Sequence, residues 1–236
     1  MKRFYRTYYN GNLLSYEISY KESDIFISSC LCDRFEIFQY LRHLRIELER
    51  YIAANKSFLT ALSPIKFDKN APSVAQNMIK ASCEAGVGPM AAVAGAFAEK
   101  IGNFISKKCE ECIVENGGDI FLKLNKEAKI GIFTKNKYFQ DKLKIKLPKS
   151  DKPFGVCSSS SKLGPSLSYG DADLSLIVSH NAALSDALAT ACANIIKSTQ
   201  DIKKAMDFVK NKNITGCIFI KDKTLGIWGD LSLCKK

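Results

Sequence analysis

The sequence lacks any apolar run of the roughly 18 to 20 residues that a membrane-spanning helix needs. Its first residues, MKRFYRTYYN, lack the apolar core of a secretory signal peptide. It also lacks a spacer rich in proline or glycine and any short tandem repeat. These absences argue against a membrane-anchored protein and against a repeat array. We therefore expect one domain over residues 1–236, in the cytoplasm and not bound to a membrane.

Arginine is scarce: the chain has six, of which Arg50 is the last, although 35 basic residues against 24 acidic ones give a net charge of +11. Base readout and bidentate phosphate contacts favour arginine over lysine. No basic stripe with interleaved aromatic residues occurs in the sequence. The excess charge is therefore interpreted as solvated surface lysine, and a nucleic-acid partner is not expected.

Cysteine is not scarce, because the chain has nine. Spread over this length and without a signal peptide, they are expected to be reduced thiols, so no disulfide is predicted. Cys30 with Cys32 and Cys109 with Cys112 form close pairs. A structural zinc or an iron–sulfur cluster needs about four ligands, and joining the two pairs would require them to meet in the fold. The role of the pairs is left open.

Apolar alternation predicts strands, and 3.6-residue periodicity predicts helices, in a grouped order. Asp33 followed by Glu36 is typical of a helix start. Asn116-Gly117 predicts a tight hairpin turn. The predicted strands are 14–20, 25–27, 113–114, 120–124, 129–134, 144–147, 155–157, 174–178, 217–221 and 225–228, and the predicted helices are 33–52, 72–86, 90–105, 182–197 and 200–210. Hairpins grouped with pairs of helices favour an α+β fold with antiparallel sheets packed against helices.

The segment SDALATA (residues 185–191) places Asp186 and Thr190 four residues apart, on one face of a helix. A carboxylate and a hydroxyl, together with substrate phosphates and waters, suit magnesium. A purely structural role is open for both residues as well. An acidic residue in the first turn of a helix is stabilised by the helix dipole, and a threonine can bond the carbonyl four residues back.

SDALATA resembles the Ala-Asp-Ala-Leu-Ser-Thr-Ala segment of ApbE-type flavin transferases, in which the Asp and the Thr bind magnesium. VENGGDI (residues 114–120) is similar to that family's Gly-Gly-acid turn, and GVCSSS (residues 155–160) to its Thr-Ser-Gly strand end. The sequence is closer still to an uncharacterised branch related to ApbE. GPMAAVAGAFAE (residues 88–99) and GPSLSYGDAD (residues 164–173) carry that likeness. The resemblance implies two T-fold-like halves, magnesium held by Asp186 and Thr190, and FAD or FMN as ligand.

The resemblance also implies a pocket where the glycine turn, the serine run and the Asp186 helix meet. Glycines let the backbone approach a ligand closely, and serine hydroxyls bond phosphate oxygens. An Asn-Gly turn and a serine run also occur in ordinary exposed loops, so both interpretations are open. The ligand-binding residues implied are Gly117, Gly118, Asp119, Ser158, Ser159, Ser160, Ser166 and Ser168, with a small phosphate-bearing molecule as partner.

One segment departs from the parent family. The His-Ile-Ile-Asp-Pro-Arg-Thr-Gly-like segment of active ApbE transferases has no counterpart between the serine run and Asp186, where GPSLSYGDAD stands instead. Three functions therefore stay open: a magnesium-dependent transferase, a sulfur-handling factor, and a ligand-binding accessory module without catalysis.

Cys157 is the candidate residue for the sulfur-handling hypothesis. The branch is linked to homocysteine formation and sulfur mobilisation in anaerobes, which implies a persulfide on Cys157 and partner proteins of sulfur assimilation. At the mouth of the pocket, N–H donors and lysines would lower the pKa of the thiol. The alternative is a buried core cysteine, since free cysteine is among the most buried residue types.

Overall fold

The computed structural model describes residue 6 and residues 11–30, 33–140, 142–160 and 170–235. The strands are β1 (Leu14–Tyr20), β2 (Ser23–Ser29), β3 (Cys112–Asn116), β4 (Asp119–Lys123), β5 (Ala128–Gly131), β6 (Leu143–Leu147), β7 (Phe154–Ser159), β8 (Leu174–Ser179), β9 (Gly216–Lys221), β10 (Thr224–Gly229) and β11 (Ser232–Lys235). The α-helices are α1 (Arg34–Ala54), α2 (Lys56–Thr60), α3 (Ser73–Ala85), α4 (Val93–Ile105), α5 (Ala182–Ile195) and α6 (Asp201–Val209), with a 3-10 helix, Pro89–Ala92, directly before α4.

An eight-stranded antiparallel sheet with the order β1-β2-β3-β4-β7-β8-β9-β10 runs through the molecule. Each half of it has the same plan. In the first half, two strands, a group of helices and two further strands follow each other as β1-β2, α1 to α4 and β3-β4. In the second half, β7-β8, α5-α6 and β9-β10 repeat that order. The α+β fold with two T-fold-like halves is thus confirmed.

The sheet separates two apolar cores. Because successive strand residues point to opposite faces, Cys157 and Phe219 pack against the helices. Val156 and Ile218 pack on the other face, together with residues of the three-stranded sheet β11-β6-β5. The molecule therefore has three layers: helices, the large sheet and the small sheet.

Local sequence signals explain several element ends. The Asp33 carboxylate accepts the Glu36 N–H at 3.0 Å and so caps α1 as predicted. The turn between β3 and β4 consists of Gly117 and Gly118, with φ of 70° and 104°, and Asn116 pairs with Asp119 across it. Both central positions need positive φ, which glycine adopts without strain. The hairpin was predicted, but its central residues lie one position later than the Asn-Gly pair.

Helix α5 lies at the centre of the molecule. Residues 182–193 are all buried, since α5 contacts β7 and β8 on one side and α3, α4 and α6 on the others. Alanine at six of these positions lets neighbouring backbones come close. The small-residue character of the SDALATA segment is therefore explained by packing on every side of the helix.

The structure corrects the expectation that no disulfide forms. The Cys30 and Cys109 sulfurs are bonded, with their Cα atoms 6.0 Å apart. The pairing of β2 with β3, which sets Ser29 opposite Cys112, brings the two cysteines to the same end of the sheet. They are 79 residues apart in the sequence, so their meeting is a consequence of the fold. Cys32 lies outside the described residues.

Two elements were missed by the sequence analysis. Helix α2 has five residues, and strand β11 pairs with β6 after the strand that was expected to close the chain. No helix in the described part of the chain is long and apolar enough to cross a bilayer.

We predict that Gly155→Ala destabilises the protein by about 3 kcal/mol, the upper end of the range for overpacking a core. A Cβ at Gly155 would lie 2.6 Å from the Ala182 nitrogen, and backbone cannot move aside as a flexible side chain can. Urea unfolding followed by circular dichroism measures this loss. Gly131→Ala is the matched control, because an added Cβ there meets nothing within 4 Å, and its midpoint should stay unchanged. Equal stability of both variants would contradict the close approach of β7 to α5.

Candidate functional site

Three of the segments singled out in the sequence meet at one place on the helix side of the sheet. Asp119 begins β4, Ser158 lies in the adjacent strand β7, and the Ser158 N–H donates to Asp119 Oδ1 at 3.1 Å. Cys157 lies beside both carboxyl groups, since the charges of Asp119 and Asp186 both act on its thiol. We call Asp119, Cys157 and Asp186 the acidic cluster.

Asp186 belongs to α5, and its carboxylate both contributes to the acidic cluster and caps the start of α4. Its Oδ2 accepts the Gly95 N–H at 2.9 Å, and the neighbouring N–H of Ala94 also stabilises the ionised carboxylate. Both amides belong to the first turn of α4, where Ala92 at the N-cap provides no side-chain acceptor. Asp186 thus supplies the missing cap from a position 91 residues away in the sequence.

Burial raises the pKa of Asp186 well above its usual range, and the neighbouring charge of Asp119 raises it further. The two amides of α4 act in the opposite direction, because they stabilise the ionised form. Burial prevails, so two carboxyl groups share a poorly solvated space where both ionise only if a cation compensates them. A proton held by one of them keeps that group neutral, whereas a metal ion would let both ionise.

Cys157 does not have the reactive environment expected from the sequence. It is fully buried, and its Sγ donates to the Ala182 carbonyl at 3.3 Å. Burial raises the pKa of this thiol well above its usual value, and the charges of Asp119 and Asp186 add to the effect. Of the two alternatives, the structure therefore has the buried core cysteine: Cys157 faces the helix side of β7, beside two carboxyl groups.

The pair expected to bind magnesium lies on one face of α5. Asp186 is 8% exposed and Thr190 is 9% exposed. In the described part of the chain, no three His, Cys, Asp or Glu side chains are grouped as a metal site of such residues would need. An ion at this place would take its remaining ligands from the Thr190 hydroxyl, waters and ligand phosphates. That donor set fits magnesium, which binds oxygen and keeps several waters.

The serine run directly follows Cys157 along the chain. Ser158 is exposed, Ser159 is half-buried and Ser160 is buried. Ser166 and Ser168 lie outside the described residues. A hollow of about 380 Å³ lies elsewhere, lined by Tyr51, Asn55, Ser57, Phe58, Ile65, Lys66, Phe67 and Asp68.

The glycine turn between β3 and β4 is hydrogen-bonded to Glu115, which pairs with Arg6. Gly118 N–H donates to Glu115 Oε1 at 2.6 Å, and Arg6 Nε donates to Glu115 Oε2 at 2.7 Å. The Gly118 amide is therefore engaged inside the protein, whereas Gly117 is exposed at the tip. His180, the histidine nearest to α5 in sequence, stacks on Phe154 and contacts the Pro153 carbonyl through Nδ1 at 2.8 Å.

The acidic residues of the GDAD sequence (residues 170–173) serve the fold. Asp171 pairs with Lys221. Asp173 accepts the Asn136 side-chain amide at 2.7 Å and the Asp222 N–H at 2.8 Å. These contacts fasten the start of β8 to the loop before β6 and to the turn between β9 and β10. GPSLSYGDAD is the segment that stands in place of the histidine-bearing one of active ApbE transferases. Its last residues are thus held in the fold by hydrogen bonds and an ion pair.

Sequence reasoning missed the contribution of α4 to the cluster. Gly95 and Ala94 belong to the GPMAAVAGAFAE segment, in which neither residue was singled out for the site. The available signal was the helix start without a capping side chain, since such a start needs acceptors from elsewhere.

A family model described as "AbpE bacteria" matches residues 6–216. The chain belongs to this family. It is 38% identical over 200 residues to a UPF0280 protein of Methanobrevibacter smithii, covering 82% of this chain and 84% of that protein. It is 35% identical over 190 residues to a UPF0280 protein of Methanocella arvoryzae, covering 80% and 77%.

Solved structures of flavin transferases share the fold of this family member. A variant of the flavin transferase ApbE from Vibrio cholerae has a TM-score of 0.59 at 10% identity, covering 92% of this chain and 97% of that one. The apo form of the flavinyl transferase ApbE from Pseudomonas stutzeri has a TM-score of 0.60 at 8% identity, covering 92% and 94%. At such low identity the likeness shows the ApbE-like fold alone.

We predict that Asp186→Asn changes stability in a pH-dependent way. Below the unfolded pKa of about 3.9, Asp186 is neutral in both states and asparagine mimics it. As pH rises, the unfolded carboxyl ionises while the buried one resists, so the wild-type protein loses stability relative to the variant. The loss is about 1.4 kcal/mol per pH unit until the raised folded pKa is passed.

Urea unfolding of both proteins between about pH 4 and pH 8, without divalent ions, measures this difference. Adding magnesium at neutral pH should restore part of the wild-type stability and leave Asp186→Asn unaffected. A stability difference that stays constant over the whole range would contradict the raised pKa.

Proposed function

We propose that this protein binds FAD, FMN or another phosphate-bearing molecule beside the acidic cluster, together with a magnesium ion held by Asp186 and Thr190. One observation carries the proposal: the carboxyl groups of Asp119 and Asp186 share a buried space in which each raises the cost of ionising the other. Like charges are brought together in a low-dielectric site at a cost, and a bound cation offsets that cost.

The surroundings of the cluster support an anionic ligand. Ser158 to Ser160 directly follow Cys157 in the chain, and hydroxyls such as those of the exposed Ser158 and the half-buried Ser159 suit phosphate oxygens. The Gly117-Gly118 turn is narrow enough for a ligand to approach its backbone. Ser166 and Ser168 complete the proposed ligand-binding set. The net charge of +11 favours the approach of an anion to the molecule as a whole.

In this proposal the residues have separate tasks. Asp119, held by the Ser158 amide, orients the ligand or the ion at the strand side, and Asp186 with Thr190 holds the ion at the helix side. Magnesium, when bound, would neutralise phosphate charge and polarise the phosphorus–oxygen bond. A reaction at such a site is transferase-like, and the structural neighbours, which are flavin transferases, support that class.

A second candidate is a ligand-binding accessory module without catalysis. It is favoured by the contacts of the GDAD sequence, whose acidic residues pair with Lys221 and Asn136 and so do not offer the groups that the histidine-bearing segment provides in active ApbE transferases. Measuring ligand turnover alongside ligand binding separates the two candidates.

The sulfur-mobilising alternative in anaerobic homocysteine formation has less support. It requires an accessible thiolate at Cys157 and partner proteins of sulfur assimilation. Complete burial and the raised pKa of this thiol oppose thiolate formation.

We predict that FAD or FMN binds in the presence of magnesium and binds at least about ten-fold more weakly in EDTA, by the magnitude typical of losing a supporting contact at a metal site. Isothermal titration calorimetry on anaerobically purified protein measures the dissociation constant. Asp186→Ala and Asp119→Asn should weaken binding by a similar factor. Asp151→Ala, at an exposed acidic residue remote from the cluster, is the control and should bind as the wild type does.

Two results would count against this assignment. Magnesium-dependent binding that survives Asp186→Ala unchanged would remove the ion from Asp186. Absence of FAD and FMN binding, with another molecule released on denaturation and identified by mass spectrometry, would reassign the ligand.

We predict that Cys157 carries no added sulfur after anaerobic incubation with a persulfide donor, because the folded protein keeps this thiol from solvent. Mass spectrometry of the peptide that contains Cys157 measures the change. Cys83, an exposed free cysteine, is the internal control and should react. A mass increase of one sulfur on the Cys157 peptide, absent in Cys157→Ser, would revive the sulfur-handling function.

A further inference from the structure

Glu99 is a buried carboxylate that the proposed ligand site does not use. It lies in α4 and is 9% exposed, and in the described part of the chain no ion pair includes it. Its Oε2 accepts the N–H of Ala182 at 2.7 Å and the N–H of Ala183 at 3.3 Å. Burial raises the pKa of this carboxyl group, and the hydrogen bonds from Ala182 and Ala183 oppose that rise.

The contact completes the capping of α5. A helix start leaves four amide groups without intrahelical acceptors. Here the Asn181 N–H donates to Ser179 Oγ at 3.0 Å, and the Leu184 N–H donates to Asn181 Oδ1 at 2.7 Å. The two remaining amides, of Ala182 and Ala183, both go to Glu99. Every amide of this helix start therefore has an acceptor, and half of them depend on one side chain from another helix.

The contacts between α4 and α5 are reciprocal. Glu99 of α4 caps α5, and Asp186 of α5 caps α4 through Gly95. Gly95 and Glu99 are four residues apart on α4, and Ala182 and Asp186 are four apart on α5, so each pair lies on one helix face. A Cβ at Gly95 would lie 2.8 Å from the Asp186 Cβ and would also meet the Ala182 carbonyl. The helices therefore touch backbone to backbone between the two carboxylates.

The hydrogen bonds from Glu99 to the first turn of α5 also determine the position of Asp186, which lies on the same helix. Asp186 lies one turn beyond Ala182, and the direction of its carboxylate towards Asp119 follows from where the first turn of α5 is held. Sliding or rotation of α5 by a fraction of a turn would separate Asp186 from the α4 amides. The hydrogen bonds from Glu99 resist that movement at the point nearest to the cluster.

We propose that Glu99 is a positioning residue that holds the Asp186 carboxylate in its metal-binding place by capping the helix that carries it. The link to metal binding rests on the function proposed above, whereas the positioning of Asp186 against α4 does not.

The test uses Glu99→Ala, which removes the acceptor, and Glu99→Gln, which keeps a carbonyl oxygen at the same reach. Leu44→Ala, at a buried position of α1, is the control for general destabilisation. Two quantities are measured in the full chain. One is the magnesium dissociation constant from calorimetry with magnesium chloride alone. The other is the hydrogen-exchange rate of the Ala94 and Gly95 amides in magnesium-free protein, relative to the Ile177 amide of β8.

In Glu99→Ala we expect about ten-fold or greater weakening of magnesium binding and exchange of the Ala94 and Gly95 amides accelerated by a similar factor relative to Ile177. Glu99→Gln should restore both to within about three-fold of wild type. Leu44→Ala should raise the exchange rates of all three amides by the same factor and leave the magnesium dissociation constant unchanged. A general loss of stability does not act on the start of α4 alone.

The outcomes separate the two claims. If wild-type protein binds no magnesium, the proposed metal site fails, and the exchange rates alone then decide the role of Glu99. If Glu99→Ala leaves the Ala94 and Gly95 amides as protected as in wild type, or accelerates them no more than Leu44→Ala does, the positioning role is wrong even where magnesium binds.

Discussion

The hydrogen bonds between the Asp186 carboxylate and the first turn of α4 are the contact on which the arrangement of this protein depends. They satisfy amide groups that α4 cannot satisfy itself, and they bring a carboxyl group next to Asp119 in a space with little water. A carboxylate is a strong acceptor for helix-start amides, since the helix dipole adds to each hydrogen bond. The same interaction that joins two helices thus also creates a concentration of negative charge.

Two demands meet in Asp186 and oppose each other. As a cap it is best ionised, whereas burial beside Asp119 favours the neutral form. Helix α5 takes part of its capping from the local Asn181, whereas the N-cap of α4 is Ala92 and its start depends on Asp186 from another helix.

The sequence predicted most of the elements because their signals are local. The capping residue Asp33, the glycines of the β3-β4 turn and the periodicity of α1 act within a few residues, and the structure has each of them. Helix α2 is too short to show a period, and β11 exists as a strand only because β6 lies beside it. The bond between Cys30 and Cys109 depends on the pairing of β2 with β3, which no local pattern encodes.

For the site, sequence reasoning identified residues but not their electrostatic environment. Asp119, Ser158 and Asp186 were singled out from three separate segments, and the structure brings them together. Sequence reasoning left open whether Cys157 is reactive or buried, because whether a strand residue faces solvent or helices depends on what covers each face of the sheet. The role of α4 escaped notice for a related reason: its amides are directed at a side chain 91 residues further along the chain.

The repeated plan of the two halves has a consequence for how the site can be lost. In the large sheet the halves are joined by three residue pairs between β4 and β7, from Ile120 with Val156 to Leu122 with Phe154. Asp119 directly precedes this seam on one strand, and Cys157 and Ser158 directly follow it on the other. The acidic cluster thus lies on a boundary that both halves share, so neither half, however well it kept its own shape, would hold the cluster by itself.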